Sequence, residues 1–123
     1  MSNELTYTTT IYLRNGTLID TYASGSLTAD QAAAVLVRNV QNIVIAAGGA
    51  ALDLGSVAAP GWSVFINMDT TNFIEIGSYV GATFYPLLKL LPGEVQMGRL
   101  AVATPYARAD TATANLFYII YDT

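Results

Sequence analysis

The residues best suited to catalysis are the ones this sequence leaves out. It contains no histidine and no cysteine, which removes the commonest general base, the strongest side-chain nucleophile and the preferred ligands of zinc and copper. Carboxylates remain. Asp69, Glu75 and Glu94 lie near predicted strand ends, where a pair could act as acid and base on a glycosidic bond. A plainer role fits them better, capping turns or pairing with Lys89 and Arg99. Asp69-Thr70-Thr71-Asn72 offers oxygens to Ca²⁺ without the density of acids a calcium loop carries, and an Asx turn explains it. Asn15-Gly16-Thr17 matches the glycosylation triplet and, better, a tight hairpin turn. Gly48-Gly49 belongs to no phosphate-binding pattern. The expectation is a protein that is not an enzyme, with no catalytic residue, no cofactor and no metal.

Eight tyrosines and one tryptophan leave a binding role open. Aromatic rings stack on sugar faces, as in a carbohydrate-binding module, and equally fill cores and protein interfaces. Composition favours the interface. Only 11% of the residues are charged and 53% are hydrophobic, with a mean hydropathy of +0.43. A lone molecule of that make-up would expose apolar patches larger than soluble monomers carry, so a homo-oligomer or larger assembly is expected. The net charge of −4 and five dispersed cations argue against nucleic acid, which requires a basic face. The longest apolar stretch, Ile43 to Leu52, is about half the ~20 residues of a membrane span and holds two glycines. Met1-Ser2-Asn3-Glu4 lacks the basic start and apolar core of a signal peptide, so synthesis in the cytoplasm is expected.

The elements that would position these side chains are strands. Leu5 to Leu13 alternates with a period of two, Asn15-Gly16 supplies a turn, and Thr17 to Tyr22 returns, a first hairpin. Thr28-Ala29-Asp30-Gln31 fits a helix capping box before Ala32 to Ala34, yet Val35, Val37 and Val40 prefer strand, and both readings stay open. Trp62 to Met68 and Phe73 to Gly77 read as a second hairpin around Asp69 to Asn72, with Trp62 and Ile66 in the core. Pro86 places its segment at an edge or bulge. Leu91-Pro92-Gly93-Glu94 fits a type II turn, and Val95 to Val102 returns from it. The closing run, Leu116 to Tyr121, is apolar on both faces, which demands cover from within the domain or from a neighbour.

Eight or nine short strands, with turn signals about every ten residues and no βαβ rhythm, predict one all-β domain over 1–123. An antiparallel β-sandwich is the expected architecture, with the jelly roll as its special case. Phe117, Ile119 and Tyr121 on the last strand, with Tyr85 and Leu87, are the candidate interface residues.

The middle and end of the chain add a resemblance. It runs through Leu54-Gly55-Ser56-Val57, Pro60-Gly61-Trp62, Phe65 to Gly77, Phe84-Tyr85-Pro86-Leu87-Leu88-Lys89-Leu90, Pro92-Gly93-Glu94 and Ala103-Thr104-Pro105-Tyr106-Ala107. In order and spacing these resemble a family of small structural proteins of tailed bacteriophages, over roughly the C-terminal 70 residues. The resemblance implies a virion component and carries no catalytic residues. Its leading implication is a capsid decoration, or cement, protein, trimeric by preference, whose partners are the major capsid protein or other virion proteins. A tail, neck or fibre component fits the same resemblance.

Overall fold

The computed structural model describes residues 4–31 and 34–123. Strands, turns and loops make up all of it, twelve strands among the described residues. The chain divides into two compact units, residues 1–32 and 33–123. The helix considered near the capping box is not formed where the residues are described, since Thr28 and Ala29 are in strand; Ala32 and Ala33 lie outside the described residues.

The first unit is a two-stranded ribbon. Strand β1 (Leu5–Tyr7) pairs antiparallel with β4 (Leu27–Ala29), and β2 (Thr10–Asn15) pairs with β3 (Leu18–Ala23). Between the two ladders, Thr8 and Thr9 face three residues, Ser24, Gly25 and Ser26, which makes a bulge. Ser24 ties it: its amide donates to Thr9 O at 2.9 Å and its Oγ accepts from Thr9 N at 2.9 Å. The turn differs by one residue from the sequence reading. Asn15 pairs with Leu18, so the two-residue loop is Gly16-Thr17 rather than Asn15-Gly16. Gly16 has φ +59°, the left-handed value that the first loop position of a II′ turn demands and that glycine adopts without steric cost.

The second unit is the sandwich. Its strands are β5 (Leu36–Ile43), β6 (Ala50–Ala51), β7 (Pro60–Asn67), β8 (Ile74–Val80), β9 (Thr83–Leu90), β10 (Val95–Arg99), β11 (Tyr106–Ala109) and β12 (Ala114–Asp122). One four-stranded sheet has the order β10-β7-β12-β5, the other β6-β11-β8-β9, and all the pairs are antiparallel. The pairs β5·β12, β6·β11, β7·β10 and β8·β9 are nested, as in one long hairpin with its tip between β8 and β9. Rolling that hairpin up adds the contacts β7·β12 and β8·β11. This is the eight-stranded jelly roll.

Rolling also explains where the second predicted hairpin goes wrong. β7 and β8 lie in different sheets, and the Asp69 to Asn72 loop carries the chain across. The type II turn at Leu91 to Glu94 is present, with Gly93 at φ +81° and Glu94 N donating to Leu91 O at 3.0 Å. It too leads to the other sheet, where β10 pairs with β7. Pro86 is on the edge strand β9 beside a register shift between Ile76 and Gly77. A Cβ on Gly77 would meet the Tyr85 carbonyl oxygen, so only glycine admits this bulge.

The core lies between the sheets. Leu116, Tyr118 and Ile120 of β12 are fully buried with Ile43, Phe65, Ile74, Ile76, Leu90 and the small Ala107 and Ala109. Among the described residues, no buried side-chain nitrogen or oxygen lacks a partner.

Candidate protein-docking surface

Strand β7 reverses the usual rule for a half-buried strand, polar out and apolar in. Ser63, Phe65 and Asn67 point into the core, while Trp62, Val64 and Ile66 point outward and are half-buried. The polar groups inside are satisfied. Ser63 Oγ donates to Gly98 O at 2.9 Å, and Asn67 Nδ2 donates to Asn72 O at 2.9 Å and Leu90 O at 3.0 Å. Asn67 Oδ1 accepts from Asp69 N at 2.9 Å. Asn67 thereby pins the β7–β8 crossing to the end of β9, work that no apolar side chain could do. The consequence is a displaced apolar face. Trp62 and Ile66, expected in the core, belong instead to the exterior of the sheet.

Register assembles that exterior row by row. Val40, Phe117, Ile66 and Val95 lie side by side across β5, β12, β7 and β10, and the next row is Arg38, Ile119, Val64 and Met97. Leu36 stands opposite Tyr121 beyond them. Phe117, Ile119 and Tyr121 are half-buried, and at the edges Leu36, Val40 and Val95 are 49%, 53% and 56% exposed. Among the described residues, the outward positions of these strands carry arginines, Arg38 and Arg99, and no carboxylate. This is an interface pattern, an apolar centre with charge toward the rim.

The five residues read from the sequence therefore fall on two surfaces. Phe117, Ile119 and Tyr121 share the outward face just described, whereas Tyr85 and Leu87 are on β9, the edge of the other sheet, where they are exposed. With Tyr79 and Val80, also exposed, they surround the β8–β9 tip. The tip turn, Gly81-Ala82, was not foreseen; Ala82 holds φ +63° without being glycine.

The other candidate groups are engaged in the fold. Asp69 Oδ2 accepts from Thr71 N at 3.0 Å and from Asn72 N at 2.6 Å, an Asx-type cap whose backbone donors lower its pKa. Glu94 Oε1 accepts from Leu91 N at 2.7 Å and closes the type II turn. Glu75 pairs with Arg108, Oε1 to Nη2 2.7 Å, rather than with Lys89 or Arg99. A cleft of about 260 Å³ lined by Ile76, Leu87, Leu88 and Leu100 opens between β9 and β10, below the usual ~300–1,000 Å³ of small-molecule sites.

The ribbon of the first unit is itself a surface. Every residue of β2 and β3 is exposed. Cross-strand pairing puts Ile11 beside Tyr22 and Leu13 beside Asp20 on one face, continuing to Leu18 opposite Asn15. An isolated two-stranded ribbon is marginal in water without a partner for its apolar face.

Compared with known proteins, the chain matches no family model, no curated protein and no solved structure significantly.

Proposed function

We propose that this chain is a structural protein of a tailed-bacteriophage virion, a capsid decoration protein that packs over contacts between major capsid subunits and performs no catalysis. The observation that carries the proposal is the outward apolar face centred on Phe117, Ile119, Val64 and Ile66, which packing against another chain of the assembly would finish, on a sandwich whose own core is already complete. Burial contributes about 25 cal/mol per Å² of apolar surface, and repetition over a shell multiplies a modest contact into strong retention. The ordered run from Leu54 to Ala107 that resembles phage structural proteins supplies the setting. The jelly roll is also at home in viral shells, a likeness of fold alone. On this reading the protein is made in the host cytoplasm, forms a homo-oligomer, a trimer by preference, and ends in the virion.

The test is a particle assembled without it. Such particles should lose resistance to heat and to chelation, and adding back the purified protein should restore it. Density for the protein spread over the shell supports the proposal. Full resistance in its absence, or density confined to a ring at the neck or tail, overturns it.

A further inference from the structure

We infer that the β2–β3 ribbon of one copy seats on the outward face of the β10-β7-β12-β5 sheet of a second copy, so that the oligomer closes by exchange of ribbons. The inference rests on reading that sheet face as a protein-docking surface, and it names the occupant. Both partners are apolar and open. Ile11, Leu18 and Tyr22 on the ribbon are 58%, 58% and 54% exposed, and Val40 at the edge of the sheet face is 53% exposed.

Charge selects this pairing over the two symmetric ones. The apolar face of the ribbon carries a single charge, Asp20, and the outward sheet face carries arginines without a carboxylate among the described residues. Two sheet faces brought together would put two sets of arginines into one interface with no carboxylate from either face to offset them, and two ribbon faces would do the same with two copies of Asp20. Ribbon on sheet sets Asp20 against a basic rim that includes Arg38, and like-charge juxtaposition at an interface is costly. Dimensions agree. The six residues of each ribbon strand extend about 20 Å, within the eight and nine residues of β5 and β12.

The contact is heterologous, so two copies close it by reciprocal exchange and three or more close it as a ring. A ribbon two strands wide covers less than the ~800 Å² per partner of a standard interface. Either closure offsets this, because each copy both gives a ribbon and receives one.

The chain has no native cysteine, which makes the experiment clean. Full-length Leu13→Cys and Val40→Cys variants are treated with a short bis-maleimide, separately, mixed, and as the double substitution on one chain. The mixture should give a covalent dimer, each single variant alone none, and the double variant species linked between chains on a denaturing gel, a dimer where two copies exchange and a ladder above it where a ring does. Both single variants should sediment as the wild-type oligomer. Self-linking of Leu13→Cys would mean ribbon on ribbon, and a double variant linked only within one chain would mean no exchange. Either result, or a wild-type chain that sediments as a monomer, overturns the inference. Ribbon exchange without any binding to particles would refute the virion role and leave the exchange standing.

Discussion

On the outward side of the β6-β11-β8-β9 sheet, Glu75 lies between its register partners Lys89 and Arg108 and is ion-paired with Arg108. The cations also sit over rings, Lys89 Nζ 4.1 Å from the Phe73 centroid and the Arg108 guanidinium 4.6 Å from that of Phe84. On the outward side of the other sheet, the corresponding central positions hold Phe117, Ile119, Val64 and Ile66. Both sheets close the same core, so the fold does not require this difference. A charged row is finished by water. On the reading proposed above an apolar row is finished by another protein, and the contrast then separates what the chain needs to fold from what it needs to assemble.

The largest effect expected is from truncation after Asn115. It removes most of β12, which pairs with both β5 and β7 and buries Leu116, Tyr118 and Ile120 completely. The truncated chain should show no cooperative thermal transition by circular dichroism. A folded truncated chain would mean that β12 serves assembly alone. Single substitutions on the same strand then divide its two faces. Leu116→Ala, at a fully buried position, should cost about 2–5 kcal/mol. Phe117→Ser, one residue on and facing outward, should cost under about 1 kcal/mol in urea melts of the dissociated chain while lowering the sedimentation coefficient of the oligomer. Equal costs would erase the distinction between faces.

Tyr118 tests the inward face with a polar probe. Its hydroxyl is 2.7 Å from Asp53 O and 2.9 Å from Gln41 Oε1, one of which takes its proton, and it accepts from Asn39 Nδ2 at 3.2 Å. Tyr118→Phe leaves these groups short of a partner and should cost about 1–2 kcal/mol. Burial is the main cause that raises the Tyr118 pKa above its ordinary 10.0. The raised value means that the fold favours the neutral phenol, so this contribution is fully present below pH 10.0 and is lost as pH rises through the raised value. Stability should therefore fall above about pH 10, and less steeply in Tyr118→Phe; identical alkaline limbs in the two proteins would remove Tyr118 as the cause.

The sequence made the strands legible and left their partners obscure. Alternation and turn chemistry located the first ribbon and the Leu91 to Glu94 turn, because both are settled by neighbours in the chain. Sheet membership is settled by the roll, which is non-local, and so β7 and β8 were read as a hairpin. The two-faced run Leu116 to Tyr121 pointed correctly to an unusual strand, with its outward side left half-buried. Trp62 and Ile66 misled for a specific reason. Period-two patterning finds the apolar side of a strand and assumes that it faces inward, and in β7 Ser63 and Asn67 have taken the inner positions through hydrogen bonds to Gly98, Asn72 and Leu90. Only the partners of those polar groups reveal the reversal.

The smallest effect belongs to the charged face. The Glu75 and Arg108 side chains are 20% and 29% exposed, so the pair is part-buried on a sheet face that water still reaches, and it is worth on the order of 1 kcal/mol. Glu75→Gln keeps the shape and removes the charge, so the urea midpoint should shift by no more than that, and less at high salt, where the pair is screened. The sedimentation coefficient should not move at all, because this face has no apolar centre to bury. If Glu75→Gln dissociates the oligomer while Phe117→Ser leaves it intact, the assignments of the two faces are exchanged. Assembly would then run through the charged row, and the apolar rows over Phe117 and Ile119 would be left for the shell.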